Sequence, residues 1–136
     1  TLRSVTLEDY PEYRCLTREE LALFSRSANV VIGAHTVNHL ALSALSAFEQ
    51  KHEISESQRF LQEATAQPIA HVSYPYGEAH DYNAASMAIC HELGFRHAAA
   101  NYTGIITTPG TTYAFPRIVV RNDSGPAFMS KLKELL

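Results

Sequence analysis

Val30-Val31-Ile32-Gly33-Ala34-His35-Thr36-Val37-Asn38-His39 is the stretch on which the fold turns. Its first five residues form a short, continuous apolar run, the pattern of a strand covered on both faces, as in a parallel sheet. Two histidines, four residues apart, follow at once. In parallel α/β architectures ligands gather at the carboxyl ends of strands, so His35 and His39 stand where chemistry is expected. On a helix this spacing would put both imidazoles on one face. After a strand, the loop must curl to bring them together. Imidazole is a common ligand for zinc and suits several other divalent ions. A catalytic zinc usually has three protein ligands and an open position, so the pair leaves one ligand to find. In a chain with seven histidines, surface or hydrogen-bonded residues also produce an HxxxH pair, and the spacing alone leaves both readings open.

On either side of this stretch, local signals alternate between helix and strand. Thr17 and Glu20 form a capping box for a helix with Leu21, Leu23 and Phe24 on its apolar face, ending near Ser27-Ala28-Asn29. Ser43 or Ser46 starts a long helix, about Ala47 to Thr65, with Phe48, Ile54, Phe60 and Leu61 as expected buried positions; Gln67-Pro68 ends it. Ile69 to Tyr74 reads as a strand. Asn83 caps a helix from Ala84 to Leu93, with Gly94 past its end. Strands are expected at Phe95–Ala100 and Phe115–Val120, and Ser124-Gly125-Pro126 opens a last helix to about Leu136. This alternation predicts an α/β fold with mainly parallel strands.

The turn Tyr74-Pro75-Tyr76-Gly77 also follows a strand, which places it on the same rim as the histidines. Pro75 fixes one backbone angle and Gly77 permits unusual ones. Such a turn can aim a backbone N–H at a substrate oxygen, and Tyr74 and Tyr76 could offer flat faces to a sugar ring; an ordinary turn with two half-buried tyrosines is the other reading.

A chain of 136 residues fits one domain, and 46% hydrophobic residues suffice for a core without staples. The formal net charge of −3, with lysines and arginines scattered, argues against nucleic acid as partner and gives no reason for a membrane-surface role. No apolar run approaches the roughly 18 residues of a transmembrane helix. Cys15 and Cys90 form no CxxC pair and read as two buried or partly buried thiols, with a disulfide as the alternative. No signal peptide is visible, and because the sequence begins at Thr1 its compartment stays open.

Taken in order, several segments resemble the polysaccharide deacetylase family (carbohydrate esterase family 4). They are Ile32 to Leu40, Glu53-Ile54-Ser55-Glu56-Ser57, Ser73-Tyr74-Pro75-Tyr76-Gly77, Gly94-Phe95 and Phe115-Pro116-Arg117-Ile118. The resemblance implies a distorted (β/α) barrel, here partial and lacking its N-terminal strands, so that residues 1–136 form a single incomplete domain. It implies a hydrolase that removes N-acetyl groups from a polysaccharide or oligosaccharide, with a divalent metal, usually zinc, held by Asp-His-His. His35 and His39 would be the two histidine ligands. The backbone N–H of Tyr76 would face the developing oxyanion, and Tyr74, Pro75 and Tyr76 would meet substrate. An extracytoplasmic or cell-envelope location is favoured by resemblance only.

The departures from the family are specific. Its Asp-Asp motif, which supplies the catalytic base and the third metal ligand, has no counterpart: before His35 there is only Asp9, in the loop-like Leu7-Glu8-Asp9-Tyr10. Ser73 stands where many members carry arginine, a form that resembles the branch acting on exopolysaccharides. Arg117 is a candidate to orient the base there; a surface or salt-bridged arginine is the other reading. His71 and His97 read as structural, and His52, His80 and His91 as solvated. The chain alone is therefore expected to be inactive or impaired; a non-catalytic metal- or carbohydrate-binding remnant is the alternative. Open sheet edges lead to an expectation of self-association or pairing with another chain.

Overall fold

The computed structural model describes residues 14–106 and 112–135. Asp9 and its Leu7–Tyr10 stretch lie outside them, as do residues 107–111 and the C-terminal residue Leu136. The elements are α1 (Arg18–Phe24), α2 (Ala47–Thr65), β1 (His71–Ser73), α3 (Ala84–Glu92), β2 (His97–Ala99) and α4 (Gly125–Lys133), with a 3-10 turn at Leu42–Ala44 before α2. β1 and β2 run parallel, with His71, Val72 and Ser73 opposite His97, Ala98 and Ala99. This is the mixed α/β, parallel arrangement that the alternation predicts.

The helix boundaries follow from their caps. Thr17 and Ser46 each open a capping box, with Glu20 and Glu49 returning the bond. Ser46, rather than Ser43, starts α2, and Ala66 ends it in the left-handed region at φ 54°. Asn83 accepts from the N–H groups of Ala85 and Ser86 to start α3, and Gly94 follows it at φ 75°.

The outer strands are shorter than expected. Val30–Ala34 contributes one parallel bridge, Ala34 to Val72, and Phe115–Val120 contributes one, Phe115 to Ala99. The Ile69 carbonyl, which would accept the next bond from Ile32, accepts instead from the Gln58 side chain at 3.0 Å. On the other flank the Ala100 carbonyl, next in that ladder, accepts from the Arg117 side chain at 2.6 Å, while the Arg117 N–H turns to the Tyr102 carbonyl. The reading of a strand covered on both faces is corrected too. Val72 and Ala98 join the core with Ile54, Ile89 and Cys90, whereas His71, Ser73, His97 and Ala99, on the opposite face by alternation, are half-buried. Among the described residues, the backbone groups of Val31, Gly33 and His35 find no hydrogen-bond partner, and Val31 is 76% exposed. An open strand edge runs beside His35.

α2 buries a different face from the one expected. Ile54 is fully buried and Leu61 half-buried, but Phe48 is 83% exposed and Phe60 lies under the Arg18 guanidinium, 5.3 Å from ring centroid to Cζ. The buried stripe is largely polar: Gln50, Glu53 and Ser57. Gln50 spans from the Leu45 carbonyl to the Ser86 hydroxyl, at 3.1 and 2.7 Å. α1 has no fully buried residue, and Leu23 and Phe24 are exposed. No helix among the described residues is long and apolar enough to cross a membrane.

Both cysteines are free. Cys90 is buried, and burial pushes its thiol up to about 11, against a smaller opposing effect of the Tyr74 hydroxyl. Cys15, expected to be at least partly buried, is exposed. Thiol labelling at neutral pH in native protein should therefore modify one cysteine, Cys15, with Cys90 reacting only after denaturant is added. Equal native rates at both would contradict this packing.

Candidate metal centre

The Ala34 N–H donates to the His71 carbonyl at 2.8 Å, and the Ser73 N–H donates to the Ala34 carbonyl at 3.0 Å. This pairing delivers His35 to the carboxyl end of β1. There His35 Nδ1 lies 2.8 Å from the Ser73 carbonyl oxygen and 2.9 Å from the Ser73 hydroxyl. A carbonyl oxygen only accepts, so Nδ1 is the donor, and in the neutral ring Nε2 is the nitrogen left with a lone pair. An imidazole held by a carbonyl in this way has a fixed tautomer and ring direction, as metal-ligating histidines usually do.

The loop then curls as the sequence required. Thr36 and His39 both adopt left-handed backbone, at φ 63° and 55°, which is costly for side-chain-bearing residues, most of all for a β-branched one. The Thr36 hydroxyl accepts from the His39 N–H at 3.2 Å. The curl brings the rings of His35 and His39 edge to face, with centroids 4.9 Å apart and planes at 73°. Both residues are exposed. From beneath, Glu53 of α2 accepts from the N–H groups of Val37 and Asn38 at 2.9 and 2.8 Å, and from the Asn38 side chain at 2.5 Å. Burial works to raise the Glu53 pKa, but the bonds from Asn38 and Val37 together outweigh it and hold the carboxyl below its usual range.

The Tyr74–Gly77 turn joins the same rim. The Tyr76 ring stands 4.9 Å from the His39 ring. Tyr76 is at φ 58° and 58% exposed, and its backbone N–H has no acceptor among the described residues. Tyr74 is placed differently from the flat sugar-facing surface expected of it. It is fully buried, stacked on Tyr82 at 4.4 Å, with its hydroxyl donating to the Tyr113 carbonyl at 2.9 Å. Burial, with Cys90 nearby, raises its pKa far above the normal range. Pro75 is likewise buried, so only Tyr76 of the three presents a surface. An open groove of about 600 Å³ lies along the free strand edge, lined by Gly33, His35, Thr36, Val37, Ser57 and Phe60 among others.

The polysaccharide deacetylase family model matches residues 8–98. The chain belongs to the polysaccharide deacetylase family. Among curated relatives, YxkH of Bacillus subtilis, whose name places it among the polysaccharide deacetylases, is 25% identical over 121 residues, covering 88% of this chain and 42% of YxkH. Among solved structures, the deacetylase PplD of Streptococcus pyogenes, in complex with acetate, aligns with a TM-score of 0.76 at 22% identity, over 91% of this chain and 54% of PplD. The polysaccharide deacetylase BC0361 of Bacillus cereus aligns with a TM-score of 0.74 at 16% identity, over 88% of this chain and 37% of its own. The structural matches show the fold. The chain spans about half the length, or less, of these relatives.

In this member of the family, then, the structure brings together His35, His39 and Tyr76. Arg117 is exposed, and its Nε donates to the Ala100 carbonyl at 2.6 Å. The next residue, Asn101, donates its N–H to the Gly77 carbonyl at 2.7 Å, so Arg117 is tied to the Tyr74–Gly77 turn through one strand end. His71 and His97 lie at the amino ends of β1 and β2, Nδ1 to Nδ1 at 3.3 Å, with Phe115 stacked on His97. His52, His80 and His91 are exposed. Two contacts carry no signal in the spacing of the sequence: the Ser73 carbonyl on His35, and Glu53 under the loop. Glu53 stands in a matched segment, but only the fold shows what it touches.

Gly77 is at φ 78°, and a Cβ there would sit 3.1 Å from Asn101 N and Cβ and 3.2 Å from the Tyr74 carbonyl oxygen. Gly77→Ala should therefore cost at least about 1–2 kcal/mol from backbone alone, read as a lowered denaturant midpoint. An unchanged midpoint would show that the turn is looser than this geometry.

Proposed function

We propose that this chain carries the histidine part of a metal-dependent N-deacetylase site acting on an N-acetylated polysaccharide or oligosaccharide. The observation that carries the reading is the place of His35 Nδ1, 2.8 Å from the Ser73 carbonyl oxygen. With Nδ1 spent on the Ser73 carbonyl, Nε2 is the ring nitrogen left for an ion, and the exposed His35 ring stands 4.9 Å from the His39 ring, which in turn meets that of Tyr76. The donor chemistry fits zinc or a similar divalent ion.

His35 and His39 would hold the ion. When bound, it supplies Lewis-acid polarisation of an acetyl carbonyl and a water made more acidic. The chain's own contribution is positional. The free N–H of Tyr76 donates to the carbonyl oxygen as negative charge builds on it, and the Tyr76 ring gives the sugar an apolar surface. Arg117 steadies the Gly77 side of the turn through Ala100 and Asn101, and is the candidate to orient a base supplied by another segment.

Among the described residues no group of three His, Cys, Asp or Glu side chains could hold a metal. That favours little or no turnover by this chain alone, and it keeps a non-catalytic metal- or carbohydrate-binding role as the second reading. The missing ligand and base would come from a segment seated on the open edge at Val31, Gly33 and His35, whether from the same polypeptide or from a partner chain.

Zinc calorimetry and deacetylation of an N-acetylated oligosaccharide, on this chain and on an upstream-extended version, test the proposal. Zinc binding should fall by at least about tenfold in His35→Ala and in His39→Ala, since loss of even an outer partner of a ligand costs about that much. Turnover should appear only in the extended form. Undiminished zinc affinity in both variants would remove the metal site. Turnover by the short chain at rates of the extended one would refute its incompleteness.

A further inference from the structure

We infer that Glu53 is the positioning residue of the His35–His39 pair: from α2 it holds the loop between the two imidazoles in the curl that lets them share one ion. The inference rests on the metal-site reading above and deepens it. Glu53 is 5% exposed, and a buried carboxylate is tolerated only when its oxygens are supplied with donors. Here the donors all belong to the loop. One oxygen takes the backbone N–H groups of Val37 and Asn38, and the other takes the Asn38 amide. No lysine or arginine pairs with Glu53 among the described residues.

The two residues it grips lie between the two left-handed positions, Thr36 and His39. Strained backbone persists only where its surroundings over-determine it. The Thr36 hydroxyl supplies one constraint, on the His39 N–H; Glu53 supplies the other three bonds. A role in the hydrophobic core does not explain this. Val37 and Asn38 are exposed, so the clamp buries neither of the residues it grips. What it does fix is the path of the chain from one imidazole to the other. His35 is already anchored by Ser73, whereas the His39 ring has no hydrogen bond among the described residues. His39 therefore depends on the loop for its position.

The experiment is zinc calorimetry on the full chain carrying Glu53→Ala, Glu53→Gln or Asn38→Ala, in wild-type and His39→Ala backgrounds. It is read beside the melting temperature of the metal-free proteins and amide hydrogen exchange at Val37 and Asn38. Glu53→Ala should lower zinc affinity about 10–100-fold and speed exchange at both amides. Glu53→Gln, whose one oxygen can still accept from both backbone groups, should fall between it and wild type. In the His39→Ala background Glu53→Ala should cost little more affinity, because no second ring remains to be positioned. A merely structural role would lower the melting temperature and leave that cycle additive. Should Glu53→Ala fail to fold, Asn38→Ala, an exposed change that keeps the backbone bonds, should still show a severalfold loss. Wild-type affinity in Glu53→Ala or, failing that, in Asn38→Ala would overturn the inference and leave the metal site standing. Zinc binding that ignores both His35→Ala and His39→Ala would overturn the site and this inference with it.

Discussion

Ser73 is the joint between the sheet and the site. Its N–H closes the bridge to Ala34, and its carbonyl holds His35 Nδ1. The same residue thus fixes where the first histidine emerges and which ring nitrogen is left free. Everything on the rim follows from that registration. If Ala34 slipped by one residue against β1, the side chains would exchange faces and His35 would point into the helices. A short parallel pairing therefore sets a chemical property, the tautomer of an exposed imidazole, with no charged group involved.

The second constraint comes from α2. Its buried face is paved with Gln50, Glu53 and Ser57 rather than with its phenylalanines. Each long polar residue reaches a different loop: Gln50 the Leu45 carbonyl and Ser86, Glu53 the histidine loop, and the neighbouring Gln58 the Ile69 and Leu93 carbonyls. The helix acts as a frame for irregular backbone, satisfying groups that a regular sheet would have paired itself. This also accounts for the brevity of the pairing between Val30–Ala34 and β1, since Gln58 takes the Ile69 carbonyl that a longer ladder would have used.

The helices were legible because caps are local: Thr17, Ser46 and Asn83 act within three residues of themselves, and α2 runs over the span that its end signals mark. The parallel order and the rim were legible because an apolar run followed by histidines, and another followed by Tyr-Pro-Tyr-Gly, repeat one plan. What failed depended on partners distant in sequence. Phe48 and Phe60 satisfy a hydrophobic criterion but point away from the core. Tyr74 looked available to a sugar and is enclosed by Tyr82, Cys90 and Tyr113. Glu53 sat in a matched segment with no role until its loop donors were visible. Asp9 lies outside the described residues.

The chain thus belongs to the polysaccharide deacetylase family and presents two imidazoles on a strained, clamped loop beside an unpaired strand edge. The claim on which the functional reading stands is that His35 is a ligand through Nε2, with Nδ1 kept protonated by Ser73. Histidine-ring nitrogen NMR during zinc titration tests this most directly. The account predicts that His35 and His39 alone respond, with His35 shifted at Nε2 while its Nδ1 keeps the signature of a protonated nitrogen. A response at His71 and His97, or coordination of His35 through Nδ1, would contradict it.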